Sequence, residues 1–203
     1  MSRRTRPAAA AASRGSGASA TGSVRIVGGR WRGTRLPVPD APGLRPTSDR
    51  ARETLFNWLQ PWLPGARVLD LFAGSGALGF ESVSRGASQA VLVERDAALA
   101  GALEASVRRL DAADSVQVVR ADALELLRTP LFGRFDGVFC DPPFDAGLWA
   151  TTLERLGPWL ADDAWLYLES PAATPVQPPG DWRLHREGGT RDARHALYRR
   201  GAG

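Results

Sequence analysis

The stretch Asp141-Pro142-Pro143-Phe144 is the part of this sequence best equipped for chemistry. A carboxylate stands directly before two prolines, and an aromatic ring follows them. Proline fixes φ and has no N–H, and Pro142 pushes Asp141 toward an extended backbone. The four residues follow Gly137-Val138-Phe139-Cys140, a short apolar run that reads as a buried strand. The expected product is a stiff loop at the strand's carboxyl end. It holds a carboxylate and the Pro142 carbonyl still as acceptors. A rigid strand-to-helix turn with nothing bound has the same composition, so the rest of the chain has to decide between the two.

A second stretch has glycines at phosphate-loop spacing. Gly74-Ser75-Gly76-Ala77-Leu78-Gly79 fits G-x-G-x-x-G between an apolar strand and a helix, and Glu94 lies 20 residues beyond Gly74. That is the dinucleotide fingerprint in its proper context, with a carboxylate where ribose hydroxyls would be held. A plain glycine turn and a dehydrogenase both stay open at this point. Asp70, four residues before Gly74, argues against NAD, because a carboxylate there repels a pyrophosphate. It suits a ligand with an adenosine, an ammonium and no phosphate, namely S-adenosyl-L-methionine. Asp122 would accept from the adenine amino group, and Asp141 would bound the methyl-donating end. The expected cofactor set is Asp70, Phe72, Ala73, Gly74, Ser75, Gly76, Glu94, Arg95, Asp122, Ala123 and Asp141. Acidic residues also cap helices at such places, and Asp96 and Asp122 are open to that reading.

These residues need a scaffold. Val68–Phe72, Ala90–Val93, Val116–Val119, Phe135–Cys140 and Ala164–Leu168 read as strands, with helices at about 75–85, 96–110, 122–128 and 147–157 between them. Leu184–Arg186 and His195–Arg199 read as a closing hairpin around Gly188-Gly189. Strands alternating with helices predict an α/β fold: a doubly wound, mostly parallel, Rossmann-like sheet with all strand ends on one rim. Ahead of it, Thr47 or Ser48 caps a helix over Asp49–Leu59, with Leu55, Phe56, Trp58 and Leu59 as its apolar stripe. Val24–Val27 and Arg30–Leu36 alternate about Gly28-Gly29 as a small hairpin, followed by a stiff stretch with Pro37, Pro39, Pro42 and Pro46. The expected domains are a disordered tail over 1–22, a basic hairpin and linker over 23–46, and a body over 47–203.

Charge follows the same division. All 26 basic residues are arginine, and residues 1–50 carry ten of them against Asp40 and Asp49, a net +8 in a chain of +4. The remainder is therefore mildly acidic. A basic arm on an acidic body suggests a polyanion partner. Arg30, Arg32, Arg45 and Arg50 are candidate phosphate or guanine contacts, with Thr47 beside them. Trp31 either stacks on a base or packs the hairpin onto the body. One cysteine and two histidines exclude an internal disulfide and an ordinary structural zinc site, so no metal is expected. No apolar run approaches the roughly 18 residues of a membrane span. The expected location is the cytoplasm. Cys140 reads as a buried, inert thiol.

Taken together, these motifs carry a resemblance. Asp70–Gly79 and Asp141–Phe144 resemble the cofactor and catalytic motifs of class I methyltransferases acting on exocyclic amines. Arg25–Gly33 and Leu44–Asn57 narrow the resemblance to the RsmD family, over residues 24–200. That resemblance implies N2-methylation of guanine at position 966 of 16S rRNA, in the small ribosomal subunit or its assembly intermediate, by a monomer. It also implies roles: Asp141 and the Pro142 carbonyl hold the amine, Pro143 stiffens the loop, and Phe144 stacks on a flipped-out base. Rival readings are a DNA amino-methyltransferase, a protein-glutamine methyltransferase, and a non-catalytic RNA-binding ribosome assembly factor. No insertion is long enough for a DNA-recognition region. Asp141 in place of asparagine speaks against the glutamine enzyme, and the intact acid and glycine set against a dead fold.

Overall fold

The computed structural model describes residues 22–39 and 48–201, apart from the side chain of Asp145. A seven-stranded sheet carries the molecule, in the order β5-β4-β3-β6-β7-β9-β8. Its strands are β3 (Arg67–Asp70), β4 (Gln89–Glu94), β5 (Val116–Arg120), β6 (Phe135–Cys140), β7 (Leu160–Pro171), β8 (Arg183–Gly189) and β9 (Ala193–Arg199). β3 to β7 run parallel, while β9 pairs antiparallel with both β7 and β8. The order reverses between β3 and β6. That topological switch point is where a doubly wound sheet opens a crevice at its carboxyl rim.

The sheet is buried on both faces. On one face α1 (Asp49–Leu59), α2 (Ala77–Ser84) and α3 (Ala97–Arg109) cover Val68, Leu92, Phe139, Trp165, Tyr167 and Leu197. On the other, α4 (Ala123–Leu126) and α5 (Trp149–Arg155) cover Leu69, Val91, Val138, Cys140, Leu166 and Ala196. Strand residues therefore divide by parity between the two cores. Ser48 caps α1 by accepting from the Ala51 N–H, as the sequence suggests.

The N-terminal hairpin is β1 (Gly22–Arg25) against β2 (Arg35–Val38). The sequence alternation places its return strand from Arg30. Instead, residues 26–34 form a wide loop with a single 3-10 turn at Gly29–Trp31. The reason is the surface beneath. Gly29 has φ 73°, and a Cβ there would lie 1.8 Å from the Ser84 carbonyl oxygen. Ser84 Oγ donates to the Gly28 carbonyl at 2.6 Å and accepts from the Trp31 N–H at 3.0 Å. Ile26 and Leu36 are wholly buried in the core shared with α1 and α2. The hairpin is thus a seam of the body, closed by contacts that local alternation cannot reveal.

The closing hairpin also differs from expectation. Its turn is Thr190–Asp192, beyond Gly188-Gly189, which stay within β8. A Cβ at Gly188 would meet His195 Nε2 at 2.7 Å, so this glycine makes room for a neighbouring ring.

Candidate active site

β3 ends in Asp70 and the chain turns at once into the glycine loop. Gly74 and Gly76 both have positive φ, 50° and 72°. Gly76 ends the loop as the cap of α2, where a Cβ would meet Leu103 and Phe80 at 2.5–2.7 Å. Gly79, one turn on, lies against Leu92, 2.6 Å from where its Cβ would be. The three glycines thus serve the turn, the left-handed cap and the close seating of helix on sheet. The loop is tied to the rim by Glu94, whose carboxylate accepts from the Gly74 N–H at 2.9 Å and from the Asp96 N–H at 2.8 Å. Each Glu94 oxygen keeps a second lone pair for a ligand hydroxyl. Ala73 is buried, and its N–H donates to the Val93 carbonyl, while Phe72 and Ser75 are partly open. Asp122 caps α4 by accepting from the Leu124 and Glu125 N–H groups, with Ala123 buried behind it. Asp96 caps α3 in the same way. Arg95 is exposed beside Glu94.

Asp70 is 3% exposed and accepts from the Gly79 N–H at 3.1 Å. Burial pushes its carboxyl up to about 7, against the help of the Gly79 and Phe72 N–H groups, and the charge of Glu94 adds to the rise. Across the switch point, burial pushes the Asp141 carboxyl well above its ordinary value, with Glu169 and Asp70 reinforcing it. Pro142 is buried and Pro143 exposed. Pro143 leads into a 3-10 turn over Phe144–Ala146, so the expected helix starts only at Trp149. Phe144 is 39% exposed, its ring 5.9 Å from that of Trp149. Burial pushes the Cys140 thiol up, as an inert thiol requires.

Two residues of the site escape a reading by motif, Tyr167 and Glu169 on β7. The Tyr167 hydroxyl donates to Glu169 Oε2 at 3.0 Å, and the Trp149 indole donates to the Glu169 carbonyl at 2.8 Å. Burial raises Glu169, while the Tyr167 hydroxyl works to lower it. The available signal was position: Glu169 follows strand five as Glu94 and Asp141 follow theirs. Among the described residues no salt bridge reaches Asp70, Asp141 or Glu169.

The basic residues expected at the substrate fare differently. Trp31 meets Phe80 edge-on at 6.4 Å and carries the Arg30 guanidinium 4.1 Å from its ring centre. Of the two readings of Trp31, the described contacts are those of packing the hairpin onto the body, with the ring still partly open. Arg30 also donates to Ser115 Oγ, just before β5 begins, and the loop's anchor Ser84 ends α2. Both lie at the amino rim of the sheet, opposite Asp141. Arg32 is exposed near them, and Arg50 is exposed in the first turn of α1. Arg45 and Thr47 lie outside the described residues. Arg52, also in the first turn of α1, is 1% exposed and pairs with Asp49 and Glu81.

A doubly wound sheet with a glycine loop at its switch point and an acid-Pro-Pro-aromatic loop beside it defines a Rossmann-like class I methyltransferase. The family model described as Conserved hypothetical protein 95 matches residues 24–199. "Ribosomal RNA small subunit methyltransferase D" of Escherichia coli K12 is 46% identical over 190 residues, 91% of this chain and 93% of that protein. Its namesake in Haemophilus influenzae is 40% identical over 89% of this chain and 95% of its own length. The solved Escherichia coli protein yhhF superposes with a TM-score of 0.80 at 46% identity, covering 90% of this chain and all of that one. The chain belongs to the RsmD family of methyltransferases.

Proposed function

We propose that this chain transfers a methyl group from S-adenosyl-L-methionine to the exocyclic N2 amine of a guanine in 16S rRNA, on the small ribosomal subunit or its assembly intermediate. The observation that carries the reading is the rim itself. Three carboxyl groups, Asp70 buried and Asp141 and Glu169 partly so, meet beside a glycine loop, and among the described residues no salt bridge reaches them. A ligand with an ammonium and a sulfonium fits that charge, and a pyrophosphate does not. The names of the relatives support ribosomal RNA as the substrate.

When bound, S-adenosyl-L-methionine supplies an electrophilic methyl group. Asp70 would hold its amino-acid end, and Glu94 and Asp122 would accept from its nucleoside. Asp141 and the Pro142 carbonyl accept hydrogen bonds from the guanine amine. They turn its lone pair out of conjugation and toward the methyl carbon. Pro142 and Pro143 hold both acceptors still, and Phe144 offers an open ring face to the flipped base. Rigid placement is the main catalytic contribution, worth several kcal/mol. Arg32 and Arg50, both exposed, are assigned to phosphates.

The test is methyl transfer to small subunits lacking the modification, with the product nucleoside identified by mass spectrometry. N2-methylguanosine is expected. A methylated adenine or cytosine, or no transfer alongside intact subunit binding, overturns the assignment.

A further inference from the structure

The register of β6, β7 and β9 sets three titratable side chains in one row. Cys140, the last residue of β6, pairs with Leu168, so Asp141, just past the strand, follows alongside Glu169 of β7. Glu169 pairs in turn with His195 on β9. Parity places Glu169 and His195 on the face covered by α1, since Tyr167 and Leu197 belong to that core. The His195 ring lies 6.4 Å from the Tyr167 ring and 6.1 Å from Trp58 of α1. Neighbouring strands are about 4.8 Å apart, and the charge of Glu169 acts on Asp141, so a hydrogen bond or a bridging water between neighbours is what a transfer along the row requires. Beyond His195, the partner on the outermost strand is Gly188, the residue whose missing side chain makes room for the imidazole. His195 is partly open there.

Methylation of an amine leaves the nitrogen with one proton too many, and that proton has to reach water. It starts in a buried site. We propose that the row Asp141–Glu169–His195 is the exit path of that proton, with Glu169 as the positioning residue that receives it from Asp141. The N–H electron pair stays on nitrogen as the amine lone pair, and the proton passes to an Asp141 oxygen. Asp141 hands it to a Glu169 oxygen, and the Glu169 acid hands it to the imidazole. His195 releases it past Gly188, and Asp141 and Glu169 return to their starting states. The Tyr167 hydroxyl holds Glu169 Oε2 toward this row throughout. The groups beside Glu169 are Asp141 just past β6, Tyr167 on its own strand and His195 on β9, with Trp58 of α1 against the His195 ring. Burial lowers the imidazole's proton affinity, so it does not trap the proton.

This inference rests on the reading of Asp141 as the amine's partner, and the experiment separates the two. Methyl transfer is measured from pH 5.5 to 9 with small subunits and saturating S-adenosyl-L-methionine, for wild type, Asp141→Asn, Glu169→Gln and His195→Gln. Glu169→Gln keeps an acceptor for Tyr167. We expect kcat to fall about tenfold in Glu169→Gln and less in His195→Gln, with the acid limb of the profile displaced and the KM for S-adenosyl-L-methionine unchanged. Added imidazole should restore part of the rate in His195→Gly. A full rate and an unmoved acid limb in Glu169→Gln, with Asp141→Asn inactive, overturns the exit path alone. A fully active Asp141→Asn overturns the reading beneath it. Calorimetric binding of S-adenosyl-L-methionine to each variant checks that its fold is retained.

Discussion

Two buried acidic clusters lie on the same face of the sheet, and they are handled in opposite ways. Glu81, wholly buried in the middle of α2, accepts from the Val27 N–H at 2.7 Å and from Arg85 Nε at 2.6 Å, with Arg52 3.7 Å away. Arg52 reaches on to Asp49, which also takes Arg25. This chain of ion pairs stitches β1, α1 and α2 together. At the rim, Asp70 is buried and Asp141 and Glu169 are partly so; among the described residues no such partner reaches them, and all three hold protons more tightly. Charge balanced inside the protein fastens elements, whereas charge left unbalanced in a crevice is available to a cationic ligand. The contrast separates structure from chemistry without reference to any motif.

The sharpest way to break this comparison is to neutralise the rim. Asp141→Asn should reduce single-turnover methyl transfer about a thousandfold, roughly 4 kcal/mol, while calorimetry finds S-adenosyl-L-methionine still bound. Arg52→Ala, in the balanced cluster, should instead cost about 3–5 kcal/mol of folding stability by urea titration, because it strands Glu81. A loss under 1 kcal/mol would mean that Arg85 and Val27 suffice.

The two clusters should also answer pH in opposite directions. Asp70 has a folded value of about 7, above the 3.8 of the free side chain. Its contribution to stability is therefore complete below pH 3.8 and lost as pH rises to about 7. Asp49 is also penalised by burial, but Arg25 and Arg52 outweigh that and hold it below 3.8. Its contribution is present above pH 3.8 and lost as pH falls through the lower folded value. Asp70→Asn should thus stabilise the protein at pH 8 by up to about 4 kcal/mol, shrinking toward zero near pH 4, as read from Tm. A stability gain independent of pH would show that burial of charge is not the cause. The smallest effect is expected at the hairpin tip. Arg30→Ala should cost no more than about 1 kcal/mol of stability and leave the salt dependence of subunit binding unchanged.

Much of this was legible in the sequence, and what was not has a common cause. The five parallel strands, the capped α1 and the Asp70–Gly79 loop could be read because the signals are local: parity, a cap serine, glycines at fixed spacing. Arg52 was unreadable, since an arginine in a first turn looks solvated until Glu81, 29 positions away, is brought beside it. Glu169 and His195 escaped because antiparallel insertion of β9 next to β7 is what makes them neighbours. Gly28-Gly29 and Gly188-Gly189 both resemble tight turns. In the fold they serve as clearances, one pair for α2 and the other for an imidazole.

The strand order has a consequence for the sequence of events in synthesis. β9 lies between β7 and β8, so the strand made last of the three takes the inner place. Until it emerges from the ribosome, β8 has no partner and Glu169 no neighbour on that side. The pairing of Glu169 with His195 therefore forms only once residue 195 has been translated. A chain still being made can close its glycine loop before β9 pairs with β7 and sets His195 beside Glu169.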